Sequence, residues 1–278
     1  MTVCQVGFTH EFVLRGILAL AALHLAYLRP SRKEFYIARG TMHHQLGLRM
    51  ASSLLPSMND ENCTPLCIFS AVAVMFAMAS PRTPEDFLLV NEKGLADWVV
   101  LMRGMNSIIN SSEPTLLAGP LAPIFQSGQR RNDKRSAEPF MLGSVHDDQV
   151  VLLQQRILDS CMDPERVDAY KGALTEVRKS LTILFAYSET YEVSDAFVWV
   201  FETPEAYFAL LREQDQAALC IFAFFCVGLD RLSGNWWADG WSIHLMNQIF
   251  RLVDDEHRWW IQWPIDQVGG LRVLQNLP

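Results

Sequence analysis

The chain has 278 residues, 50% of them hydrophobic and 19% charged, enough to bury a large core. Its formal charge of −8, from 23 basic and 31 acidic residues, works against binding a polyanion, so direct nucleic-acid binding is not expected. Six scattered cysteines (Cys4, Cys63, Cys67, Cys161, Cys220, Cys226) need no disulfide framework in a chain this long and fit a reduced, intracellular compartment.

The N-terminal MTVCQVGFTHE has no basic stretch followed by an apolar one, and apolar runs such as 217–229 stop at thirteen residues. Neither a signal peptide nor a transmembrane segment is expected, and the chain reads as soluble.

In chain order, a capping residue followed by proline recurs at Thr64-Pro65, Thr83-Pro84, Asp163-Pro164 and Thr203-Pro204. Proline loses nothing at the first helical position, because that N–H has no intrahelical partner. Ser31-Arg-Lys-Glu34 has the form of a capping box. With these starts, the chain reads as helices at about 9–28, 32–55, 65–79, 84–110, 114–125, 145–161, 164–187, 194–201, 204–213, 215–232 and 236–254. Period-two alternation is hard to find, so the expected fold is all-α, a single multi-helix domain over 1–278. The stretches 17–23, 66–79 and 217–229 are apolar nearly all round and are expected at the centre. Between helices, residues 126–140 carry Arg130, Arg131, Lys134 and Arg135 in polar surroundings and read as a mobile polar loop.

The strong catalytic signatures are absent: no GxSxG, P-loop, HExxH or Rossmann glycine pattern occurs. Cys63 and Cys67 lie one helical turn apart without companion ligands, so packing outweighs metal binding and no metal or cofactor is expected. His43 and His44 point in different directions on a helix. Asp254-Asp255-Glu256 resembles an aspartate-rich magnesium motif but has Arg258 at its last position; a solvated helix end accounts for it. His24 interrupts an apolar stretch on a face expected to be buried.

Six of the eight tryptophans fall between Trp236 and Trp263. The order ILALAALHLAY (17–27), YIARGTMHHQLGL (36–48), WVVLMRG (98–104), LAPI (121–124), WWADGW (236–241) and WIQWP (260–264) resembles the C-terminal ligand-binding regulatory domain of fungal zinc-cluster transcription factors of the sterol uptake control type. The resemblance runs from about residue 8 to 266. It implies an all-α domain with a deep hydrophobic pocket for a sterol, whose occupancy controls partner interactions and movement into the nucleus. It also leaves a homodimer through helical faces open, although no heptad run specifies one.

Members of that family carry an N-terminal zinc cluster with a repeated C-x2-C-x6-C pattern, which none of the six cysteines fits. The chain is therefore either a piece of a longer regulator, cytoplasmic or nuclear, or a stand-alone member. In the first case it binds a hydrophobic polycycle, a sterol or terpenoid. In the second it is a metal-free cyclase, isomerase or pericyclase of Diels–Alder type, acting on a terpenoid or polyketide in secondary metabolism. Such an enzyme needs no nucleophile: holding an apolar substrate in a reactive conformation, with one or two hydrogen-bond donors, lowers the barrier.

Mapped onto this chain, the family's pocket has walls at 217–229 and the tryptophan-rich helix after it. Phe222 and Phe225, and then Trp237, Trp241 and Leu245, recur at spacings of three or four. Phe69, Val72, Phe76 and the methionines Met75, Met78, Met102 and Met105 are further candidates, since methionine adapts to irregular outlines. Ser242 and His244 would offer polar groups. An apolar face at helical spacing looks the same against a ligand or a side chain, so ordinary core packing stays an alternative for each. Gly240 inside a helix costs about 1 kcal/mol relative to alanine, which points to close approach by another helix or a ligand.

Overall fold

The computed structural model describes residues 3–82, 86–91, 94–119, 122–137 and 140–269, with the backbone alone at 97, 101 and 105–113. Among them the chain is all-α, with one antiparallel pair of two-residue strands, Val90–Asn91 (β1) and Gly94–Leu95 (β2). Contacts along the chain cluster into two compact units, Met1–Arg82 with Ala96–Gln129 and Thr83–Leu95 with Arg130–Pro278.

The first unit holds α1 (Val3–Thr9), α2 (Glu11–Leu28), α3 (Lys33–Leu54), α4 (Cys63–Ala79), α5 (Asp97–Ala118) and the start of α6 (Ala122–Ala137). Its core gathers Phe12, Val13, Ala51, Leu66, Phe69 and Leu116. Phe69 explains why α2 and α3 carry glycines where they meet it. A Cβ on Gly47 would stand 2.8 Å from Phe69 Cε2, and one on Gly16 3.1 Å from its Cδ2, so the ring fills the space that two missing side chains leave. Helix α5 runs through Pro114, exposed on its surface, at the loss of one backbone donor.

The expected central position of 17–23 does not hold throughout. Ala19, Ala22 and Leu23 are buried, but Leu18, Ala21 and His24 are exposed, because α1, α3 and α4 cover α2 from one side. Among the described residues α2 is the one helix long and apolar enough to cross a membrane by length and composition. It lies along α3, and Glu11 pairs with Arg15 at its start (2.9 Å).

In the second unit the helix expected over 84–110 gives way to the strand pair. Leu88 (φ +60°) and Gly94 (φ +131°) take left-handed backbone that no helix accommodates, and α5 starts only at Asp97. The unit continues with α7 (Val145–Ser160), α8 (Pro164–Ala186), α9 (Val193–Glu202), α10 (Glu205–Arg212), α11 (Gln216–Asp230), α12 (Trp241–Leu252), α13 (Asp255–Arg258) and α14 (Gln262–Val268). Side-chain caps set several starts: Asp163 accepts from Glu165 N (3.0 Å), Asp215 from Ala218 N (3.0 Å) and Asp254 from His257 N (2.9 Å). Hydrogen bonds from His257 also hold the Asp254 carboxyl below its ordinary value, as befits a helix end.

Helix α11 is the axis of this unit. Every residue from Ala218 to Leu229 is buried, and α8, α9, α10, α12 and α14 surround it. Trp199 on α9 locks the arrangement: its Nε1–H donates to Ala173 O of α8 (3.0 Å) while its ring stacks on Phe225 of α11 (4.5 Å).

Candidate functional site

The segment after α11 was expected to enter a helix at 236. Instead, residues 231–240 form successive turns, closed by Ser233 N to Asp230 O (3.0 Å), Asn235 N to Leu232 O (2.9 Å) and Ala238 N to Asn235 O (2.9 Å). Gly240 then takes φ +76°, and α12 begins at Trp241. Gly240 precedes α12 instead of lying within a helix, and its left-handed backbone is by itself a reason for glycine here. Trp237 accordingly belongs to the turns, and only Trp241, His244 and Leu245 sit on α12.

A surface pocket of about 480 Å³ opens at this turn, bordered by Asp230, Asp239, Gly240, Ser242, Ile243 and Val268 among others. Its volume falls within the range of small-molecule sites. The lining is mixed. Ser242 Oγ donates to Asp230 Oδ1 (2.7 Å) at the end of α11, whereas Ile243 and Val268 are apolar. His244 shares a hydrogen bond with the backbone oxygen of Asp86 (3.0 Å), and its ring meets Trp241 edge-on at 5.5 Å. Trp237, Trp241 and Leu245 are buried.

The other expected wall residues are packed elsewhere. Phe222 and Phe225 lie nearly parallel at 5.7 Å, and both stack against Trp199. The gap bordered by Val177, Leu181, Trp199, Phe224, Phe225 and Gly228 holds about 0 Å³ for a water-sized guest. In the first unit, Phe69 fills the space at Gly16 and Gly47, Val72 approaches Gly16, and Phe76 stacks under His44 at 4.0 Å. Met75 is half-buried and Met102 buried; the Met105 side chain lies outside the described residues. Of the expected residues, then, Gly240 and Ser242 border the pocket.

Cys63 and Cys67 are both buried, and burial together with the neighbouring Cys63 pushes the Cys67 thiol up to about 12. Among the described residues no group of three or more His, Cys, Asp and Glu side chains is placed to hold a metal ion.

The sequence reading missed a buried charge network. Residues 126–137, expected as a loop, are the helical body of α6, and its basic side chains reach α8 and α9. Arg131 pairs with Asp195 (2.6 Å) and Glu192 (2.7 Å) and donates to Thr190 O (2.8 Å). Desolvation raises the Asp195 carboxyl from its ordinary value, against the backbone N–H of Glu192 and the charge of Arg131, which lower it. Arg135 is buried, its Nη1 3.7 Å from Glu176 Oε2, and its Nε and Nη1 make no hydrogen bond among the described residues. Burial lowers its pKa, although Glu176 acts to raise it.

Arg135→Met is expected to leave stability unchanged or raise it by about 1 kcal/mol. Methionine keeps the packing of the stem, and Glu176 retains Lys179 at 2.7 Å. A clear fall in the urea midpoint would show instead that the guanidinium is a net stabiliser.

No family model matches the chain, and no curated protein or solved structure matches it significantly.

Proposed function

We propose that the chain is a ligand-binding regulatory domain that takes a hydrophobic polycycle, a sterol or terpenoid, at the pocket beside Gly240. One observation carries this reading: the pocket lies at the turn formed by WWADGW, the segment that the family resemblance marks as a wall, and has a volume of about 480 Å³. Its mixed lining selects the orientation. A hydroxyl on the ligand would meet Asp230 and Ser242, while its apolar body would lie on Ile243 and Val268. Occupancy would act by favouring one conformation of the chain, and regulation in the cytoplasm or nucleus follows from the resemblance alone.

The test is native mass spectrometry after incubation with sterols and terpenoids. Gly240→Asp should weaken binding by at least about tenfold, since it adds a third carboxylate beside Asp230 and Asp239. Gly240→Ala is the control: it carries the same backbone strain at φ +76° without the charge, and should bind nearly as the parent does. Equal affinity of parent and Gly240→Asp would sink the proposal. A product formed in catalytic excess over protein would replace it with the cyclase or pericyclase reading.

A further inference from the structure

We propose that the tip where α2 turns into α3 docks the protein onto an anionic phospholipid surface. The tip combines two features that a charged protein ordinarily keeps apart. Tyr27 and Leu28, at the end of α2, are each 58% exposed, and Phe35, at the start of α3, is 47% exposed. Around them stand Arg29, Arg32, Lys33 and Arg39, all exposed, with Glu34 as the one acidic residue from 27 to 39. Four cations against one anion leave this tip at +3 in a chain of −8.

The cations are held at the surface and not neutralised there. The Arg32 guanidinium lies 4.8 Å from the centre of the Phe35 ring and 5.2 Å from that of Tyr36, and Arg39 lies 5.5 Å from Phe35. Arg29 Nη1 donates to Tyr36 Oη (3.4 Å). None of the four pairs with a carboxylate within 4 Å among the described residues. A tight turn, Pro30–Arg32, fixes both rows of side chains at one end of the helical pair.

Charge complementarity and apolar exposure together choose the occupant. A membrane interface accepts tyrosine, phenylalanine and leucine at headgroup level and anionic headgroups attract the surrounding Lys and Arg. A nucleic acid would engage the cations but leave Leu28 in water. A second copy meeting tip to tip would bring four cations against four. The rest of the chain carries a net negative charge, which the same membrane repels and which favours approach by the basic tip. The inference does not depend on the pocket.

The test is co-sedimentation of the full chain with phosphatidylcholine vesicles, with and without about 30 mol% phosphatidylserine. Binding is expected with the anionic vesicles only, and high salt should weaken it. The variant Arg29→Glu/Arg32→Glu/Lys33→Glu should bind at least about tenfold less, since each cation contributes separately near the surface. Leu28→Ser with Tyr27→Ser keeps the charges and should also bind more weakly, so the proposal stays open to test if the first variant does not fold. Equal binding to neutral vesicles, indifference to both variants, no vesicle binding, or preferential binding to duplex DNA would each overturn it. So would a concentration-dependent dimer that Leu28→Ser dissolves while vesicles leave it intact.

Discussion

Trp199→Ala is expected to lower the unfolding free energy of the second unit by about 3–5 kcal/mol, read as a lower urea midpoint with an unchanged slope. The indole is fully buried and touches four aromatic rings: Phe225 at 4.5 Å, Tyr207 at 5.5 Å, Phe208 at 6.0 Å and Phe222 at 6.3 Å. Those rings come from α10 and α11, while the Nε1–H binds α8, so one side chain on α9 ties four helices. Truncation removes most of the apolar area of a tryptophan and leaves a void. The void cannot close cheaply, because each surrounding ring is held by its own helix and Tyr207 is further fixed by its hydroxyl on Ala218 O (2.9 Å). Trp199→Phe keeps a ring in the stack and loses the hydrogen bond, and should cost only about 1–2 kcal/mol. If Trp199→Ala costs no more than Trp199→Phe, the neighbours collapse into the space and the ring is not the tie described.

How much of this was legible depends on where the determining contacts lie. Helices α7 to α11 follow the sequence reading within two residues, because their starts are written locally, in Asp163-Pro164 and in Asp215 ahead of an apolar run. The central position of α11 was legible for the same reason: a helix without a polar face must be surrounded. Helix α6 was not, because its arginines look solvated until Glu176, Glu192 and Asp195, dozens of residues away, are brought beside them. Gly240 shows a different limit. A glycine between tryptophans fits close helix packing and a left-handed turn equally well, and the turn-forming run Ser233-Gly234-Asn235, in the gap between the expected helices, extends as turns through Gly240 before α12 starts. The surface pocket beside Gly240 was not itself legible: the resemblance marks WWADGW as one wall of a deep hydrophobic pocket, and no motif singles out Asp230 and Asp239, the carboxylates that border the pocket at this turn. Phe222 and Phe225 had the right spacing for a shared face; the face turned out to meet Trp199, whose position on α9 no local pattern announces.

Arg178→Met is expected to cost about 3 kcal/mol, the second-largest effect among these variants. Asp147 is 2% exposed and holds Arg178 through two hydrogen bonds, Nε to Oδ1 at 2.6 Å and Nη2 to Oδ2 at 2.7 Å. Removing the guanidinium strands that carboxylate in the interior. Two features hold this cost at the low end for a broken buried pair. Arg178 is itself 18% exposed, so water reaches the site, and Asp147 lies in the first turn of α7, where the helix N-terminus favours a negative charge. The lost contact of Arg178 with the Phe140 ring (4.0 Å) adds a smaller share. Asp147→Leu/Arg178→Met should recover to within about 1 kcal/mol of the parent, because it removes the stranded charge along with its partner. A double variant as unstable as the sum of its single variants would mean the two groups act independently, against the geometry. The same substitution on two arginines of one unit, Arg135 and Arg178, should have opposite consequences, since Glu176 keeps Lys179 as a partner while no second cation pairs with Asp147 among the described residues.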